Sequence, residues 1–214
     1  MNVFSALKDL FIKKYKVLVE DRILTTGKGL DIQCRTMESF KNDNLVGVEI
    51  HTYILDKYHQ EPSVSSSAGM LLGDYFSKHK MMESHIEDIS RRLRPETKGK
   101  GEFVLDLIEV EEPYKNQGIG TLTYQLSEYL FAKYLDRKNI SEGNINGFCM
   151  PMDCSKEIET RDFYCKQGFQ LYTVENREAL CRDILFKPII AEQVLEDRNN
   201  RKFERVESSI SYME

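Results

Sequence analysis

The stretch Lys115-Asn116-Gln117-Gly118-Ile119-Gly120-Thr121 lies between a strand-like run, Glu102 to Val110, and a helix-like run, Thr121 to about Leu135. A strand that turns through two glycines into a helix builds an anion site from main chain. Glycine allows close approach of the backbone and dihedrals that other residues avoid. The free N–H groups and the positive end of the helix dipole then face the anion. The expected ligand is a phosphorylated cofactor.

Two common phosphate-binding patterns fail at this loop. A G-x-G-x-x-G fingerprint needs a third glycine at residue 123, which is Thr123. A Walker A loop needs lysine after its last glycine, and Gly120 is followed by Thr121 and Leu122. What remains is a [QR]-x-x-G-x-[GA] loop behind a strand that ends hydrophobe–x–hydrophobe.

Working outward, the second half alternates strand and helix. A short strand is expected from about Ile145 to Met152, flanked by Gly143 and Gly147. Lys156 to Gln167 reads as a helix stopped by Gly168 at a C′ position. Phe169 to Val174 and Cys181 to Phe186 read as a closing pair of strands, and the chain from Pro188 to about Val206 as helix.

In the first half, Val3 to Val19 has helical spacing through Phe4, Leu7, Phe11 and Tyr15, with a possible turn to strand at Lys16-Val17-Leu18-Val19. Thr25-Thr26-Gly27-Lys28-Gly29 is a turn. Leu30 to Met37 and Leu45 to Leu55 alternate as strands. Gln60 to Ala68, with Pro62 and three serines, reads as a loop, and Gly69 to Arg94 as one or two helices ending at Pro95. The pattern predicts a layered α/β (α+β) fold: a mixed, mostly antiparallel, twisted sheet flanked by helices. The whole chain, 1–214, is expected to form a single domain. Its parts are a core over 102–187, sheet and helices over 1–101, and a helical tail over 188–214.

Composition narrows the partners. The 214 residues are 41% hydrophobic and 30% charged, with net charge −5 and a pI near 5.6. An acidic chain is a poor match for nucleic acid, which wants a basic face. The same balance suits a cationic substrate, although simple solubility also explains it. The five cysteines are odd in number and lack a C-x-x-C pair, so reduced thiols in the cytoplasm, and no metal, are expected. No apolar run approaches the ~20 residues that span a membrane.

The run Leu107 to Thr121, with its strand-ending Val110, Tyr114 before Lys115, and Gln117-Gly118-Ile119-Gly120-Thr121, resembles the acetyl-CoA loop of the GNAT superfamily of N-acetyltransferases. About forty residues later, Phe163-Tyr164-Cys165-Lys166-Gln167-Gly168-Phe169 resembles the second signature of that superfamily, a helix ending Phe-Tyr-x-x-x-Gly-Phe. The two occur in the right order and spacing, and the resemblance covers about residues 102 to 187.

The resemblance implies the GNAT-like acyl-CoA N-acyltransferase fold and an acetyl group moved from acetyl-CoA to a primary amine by direct attack. The acceptor would be a small molecule or a protein amino group. It implies that the CoA diphosphate lies on the main chain of Asn116, Gln117, Gly118, Ile119, Gly120 and Thr121. It also implies that the pantetheine arm pairs with the backbone of Ile108 and Val110. Lys115 stands where the family usually has Arg or Gln; it keeps a charge and loses the planar fork. Glu157 falls where the family usually has Asn.

Tyr164 matches the family tyrosine that donates to the CoA sulfur. For a base, Glu109, Glu111 and Asp106 are candidates on or just after the strand, and a water relay is an alternative. By period two, Glu109 shares a face with Leu105 and Leu107, while Asp106, Ile108 and Val110 share the other. Cys165 is expected to be a buried thiol. The competing reading is a catalytically inactive CoA-binding or interaction module of the same fold. A homodimer is compatible with either.

Overall fold

The computed structural model describes residues 16–41, 44–54, 64–72, 101–149, 157–173, 183–197, 200–204 and 211–213. Among these residues nine strands form one sheet, in the order β7-β8-β6-β5-β4-β3-β2-β1-β9. In the first half these are β1 (Lys16–Thr25), β2 (Asp31–Lys41), β3 (Asn44–Ile54) and β4 (Val64–Leu72). They are followed by β5 (Glu102–Val110), β6 (Glu142–Cys149), β7 (Gln170–Thr173), β8 (Asp183–Ile190) and β9 (Ser211–Met213). The helices are α1 (Ile119–Arg137), α2 (Glu157–Lys166) and the short α3 (Ala191–Glu196). β5 and β6 pair in parallel, and the other neighbours pair antiparallel. This is the mixed, mostly antiparallel sheet expected.

Three expectations are corrected. The serine run is not a loop: Ser65, Ser66 and Ser67 lie inside β4, which pairs with β3 on one side and β5 on the other. Strand preference depends strongly on context, and two ladders of main-chain bonds outweigh the weak preference of serine. The helix expected from Gly69 is strand as far as Leu72, and its remainder lies outside the described residues. Pro188 does not open a helix; β8 runs through it to Ile190. The pairing of β7 ends at Gln170↔Phe186, so at Pro188 the strand has β6 alone beside it and can do without an N–H. Of the expected tail, the described residues hold α3, a single 3₁₀ turn at Arg201–Phe203, and β9 against β1.

The helix α1 lies across the sheet over β3, β4 and β5 and also packs on α3. It is buried on most sides, through Leu122, Leu126, Leu130, Phe131 and Leu135 among others. A helix covered by a sheet and a second helix needs this wide apolar surface. Each large side chain so buried contributes about 1.5–3 kcal/mol relative to exposure. Thr123 and Ser127 are buried in the helix too; their hydroxyls donate back to the carbonyls of Ile119 and Thr123, both at 2.9 Å. Among the described residues no helix is long and apolar enough to cross a membrane, and no cluster of His, Cys, Asp or Glu could hold a metal ion.

Candidate active site at the fork between β5 and β6

The parallel pairing of β5 and β6 runs from Glu102↔Asn144 to Leu105↔Gly147 and stops there. β5 continues to Val110, still paired with β4 as far as Ser66↔Val110. On its β6 side, the end of β5 therefore carries main chain without a strand partner among the described residues. Two local features make the fork. At its base Gly147 lies against Leu105: a Cβ on Gly147 would be 3.1 Å from the Leu105 carbonyl oxygen. A register shift also falls on β5 between Leu105 and Leu107, opposite Gly69/Met70. A bulge bends its strand and re-aims the side chains beyond it.

The bulge corrects the face assignment. Phe103, whose ring lies 3.9 Å from that of Phe131, is on the α1 side. After the bulge Val110 is on the α1 side as well, since a Cβ on Gly120 would meet it at 3.3 Å. The strict alternation that grouped Glu109 with Leu105 breaks between them. Glu109 is exposed, and its Cα partners run Glu109↔Ser67↔His51↔Arg35↔Asp21 across five strands. That row contains the exposed pair of Arg35 and Asp21, at 2.9 and 3.0 Å. The α1-side row is Val110↔Ser66↔Thr52↔Cys34↔Arg22.

Beyond Val110 the chain makes a single 3₁₀ turn, Glu112–Tyr114, with exposed Glu111 at its start. Pro113 suits that first turn because no N–H is needed there. Lys115 is exposed and bonded to Glu112 at 2.5 Å, and the Gln117 side chain donates to the Pro113 carbonyl at 3.3 Å. Asn116 has φ 61° and Gly118 φ 83°, two left-handed residues that fold the loop back on itself. Gly118 caps α1, whose first internal bond is Leu122 N–H to Gly118 C=O at 3.0 Å. The amides of Ile119, Gly120 and Thr121 precede that ladder and point out of the helix end.

The second motif meets the first here. A Cβ on Gly120 would stand 3.6 Å from the Phe163 ring and 3.3 Å from Val110, so the start of α1 is packed closely between Val110 and α2. Next in sequence, Tyr164 is buried and packs edge-on to Phe163 and Phe169, at 5.2 and 5.6 Å. Burial, and secondarily the Cys149 sulfur at the end of β6, push its hydroxyl well above the ordinary tyrosine value. It is a protonated donor throughout the physiological range. Gly168, at φ 85°, turns the chain from α2 towards β7. Cys165 is exposed, contrary to expectation. Cys149, at the end of β6, is buried, as is Cys34 in β2.

Two contributors were not anticipated. Gly143 and Gly147 lie inside β6 and do not flank it; an isolated glycine within a strand pattern signals such close approach. The turn after β1 also reaches the loop: a Cβ on Gly118 would lie 3.5 Å from Thr26 Cβ and 3.7 Å from the Gly27 nitrogen. No local pattern in either segment announces that contact. A separate open depression of about 330 Å³ lies among α1, α2, α3 and β8, lined by Gln125, Glu128, Lys166 and Lys187. Its Lys187 and Glu128 neutralise each other at 2.7 Å, and it is apart from the fork.

No family model and no curated protein matches the chain. The chain is similar to GNAT acetyltransferases. Among solved structures, AtaTR bound with AcCoA is 11% identical over 70% of each chain, with TM-score 0.44. A putative GNAT-family acetyltransferase from Desulfovibrio desulfuricans is 12% identical over 68% of this chain and 70% of its own, with TM-score 0.40. Nourseothricin acetyltransferase is 10% identical over 82% and 87%, with TM-score 0.37. At these values they assign no activity, and the functional reading rests on the fork.

Proposed function

We propose that the protein is an acetyl-CoA-dependent N-acetyltransferase acting on a primary amine. One observation carries the reading. Among the described residues the end of β5 is unpaired on its β6 side, the amide-rich start of α1 follows it, and α2 brings Phe163 and the buried Tyr164 up to Gly120; each suits a part of an acyl-CoA thioester. The residues fit the donor. The amides of Ile119, Gly120 and Thr121 at a helix N-terminus suit a diphosphate. The main chain of Ile108 and Val110 suits a pantetheine arm, whose amides pair as an added strand would. Gly120 keeps the approach open between Val110 and Phe163.

In this reading the amine nitrogen attacks the thioester carbonyl, a C–N bond forms and the C–S bond breaks. Main-chain N–H at the end of β5, near Val110, faces the charge that develops on the carbonyl oxygen. Tyr164 gives its proton to the departing sulfur, and its burial keeps the hydroxyl protonated until then. The amine proton leaves towards Glu109, on the opposite face of β5 from α1, or Glu111, directly or through water. Both acids are exposed, and with Lys115 engaged by Glu112 they leave the rim of the fork negative, favourable to a cationic amine.

Thiol release from acetyl-CoA over a panel of amines tests the proposal. Tyr164→Phe is expected to lower kcat by about 10²-fold, within the usual range for a general acid, with little change in melting temperature. An unchanged kcat in a folded Tyr164→Phe protein removes the tyrosine from the mechanism. Protection from melting by acetyl-CoA, with no amine yielding thiol, would leave binding and overturn the transferase reading.

A further inference from the structure

The hairpin turn between β1 and β2 is packed on the glycine loop, and the motif reading gives it no task. Thr26 organises it: the Thr26 carbonyl accepts from Gly29 N–H at 2.9 Å, and its hydroxyl oxygen accepts from Leu30 N–H at 3.1 Å and Lys28 N–H at 3.4 Å. Thr26 itself is buried, so the turn is fixed where it meets Gly118. Gly27 N–H has no acceptor among the described residues, and its nitrogen stands 3.7 Å from where a Gly118 Cβ would be. Around Gly27 and Gly29 a Cβ would meet nothing within 4 Å, so the turn is open to solvent on its outer side.

Charge decides what this turn is for. The cation of the glycine loop, Lys115, is held by Glu112 at 2.5 Å, and the two neutralise each other. Lys28 is exposed, lies two residues from the Thr26–Gly118 contact, and makes no ion pair among the described residues. A diphosphate on the helix start would carry negative charge that main-chain dipoles alone offset in part. We propose that the Thr26–Gly29 turn is the second wall of the donor site, with Lys28 and Gly27 N–H binding the diphosphate of the acyl-CoA. The inference rests on the acyl-CoA reading of the fork. It places a determinant of donor affinity about ninety residues upstream of the glycine loop, in a hairpin that neither motif includes.

The test is titration calorimetry of the intact protein with acetyl-CoA, 3′-dephospho-acetyl-CoA and S-acetylpantetheine, which has no phosphate. If the parent protein binds none of them, the acyl-CoA reading fails, and this inference with it. If the parent binds acetyl-CoA, Lys28→Ala is expected to weaken both phosphorylated ligands about tenfold, as loss of one charge-assisted contact does. It is also expected to flatten the dependence of Kd on salt. S-acetylpantetheine is expected to bind the parent and the variant alike, and Lys28→Arg to restore most of the affinity. Lys115→Ala serves as comparison and is expected to cost less, since Glu112 already holds that charge. Equal affinities for parent and Lys28→Ala overturn the proposal while leaving the acyl-CoA reading intact. A loss confined to acetyl-CoA, absent with the 3′-dephospho form, overturns it too, because Lys28 would then serve the 3′-phosphate and not the diphosphate.

Discussion

The helix α1 meets two parts of the sheet with opposite chemistry. Over β5 and β6 the contact is apolar and tight: the Phe103 and Phe131 rings lie 3.9 Å apart, and Gly143 leaves no room for a Cβ beneath Phe131 and Leu135. On β1 and β2 the buried face carries charge, and the end of α1 reaches it through Arg137. Arg22, its side chain inaccessible to solvent, pairs with Glu20 and reaches the Thr36 hydroxyl at 3.3 Å. Glu38, almost as deep, meets Arg137 at the end of α1 at 3.2 Å. The difference separates two tasks. The apolar side sets the height of α1 over the fork, where a shift of an ångström would misplace the helix start. The charged side ties the far end of the same helix to the outer strands, through groups that cost free energy whenever a partner is missing.

The largest effect is expected from breaking the charged side. Arg22→Met keeps the bulk of the stem but strands Glu20 and removes the donor to the Thr36 hydroxyl. Removing one partner of a buried pair costs about 3–5 kcal/mol. Urea unfolding measures it; a loss under about 1 kcal/mol would mean that the carboxylates find water and that the two regions do not differ as described. Next comes the apolar side. An alanine at 143 would put its Cβ 2.5 Å from the Gly101 carbonyl oxygen and 2.8 Å from Phe131, so rigid backbone must move. Gly143→Ala is expected to cost about 1–3 kcal/mol, as overpacking does. Gly27→Ala, in the hairpin, meets nothing within 4 Å and is expected to cost far less. Equal losses at the two glycines would contradict the close packing assigned to β6.

The two regions also differed in how far the sequence disclosed them. The fork was legible because its causes are local. Gly118 and Gly120 lie two apart at a strand–helix junction, and Phe163 and Tyr164 sit on the last turns of a short helix closed by Gly168. Each signal needs only neighbouring residues. The bulge on β5 was hidden because it depends on how β4 pairs, and β4 itself was hidden by three serines that would ordinarily mark a loop. The charged network was illegible for a like reason. Glu20, Arg22, Thr36 and Glu38 alternate along β1 and β2 as residues of a solvent face do, and only tertiary packing on that face makes it interior.

Glu38 gives the smallest and most discriminating test. Burial, with Glu20 nearby, raises its carboxyl above the usual range, and Arg137 and Lys133 only partly oppose that. One of its oxygens, Oε1, is buried without a partner among the described residues. The native state therefore holds this proton more tightly than the unfolded chain does. The stabilisation is fully present below the ordinary glutamate value and is lost as pH rises through the higher native one. Glu38→Gln keeps an acceptor for Arg137, itself partly exposed, and has no proton to lose. Melts of parent and variant from pH 4 to 8 are expected to converge, or to cross in favour of the variant, as pH rises. Were the charged network a net support in its ionised form, the gap would instead widen towards neutrality. The two regions would then differ in chemistry alone, with ionised Glu38 stabilising the fold as the Phe103–Phe131 packing does.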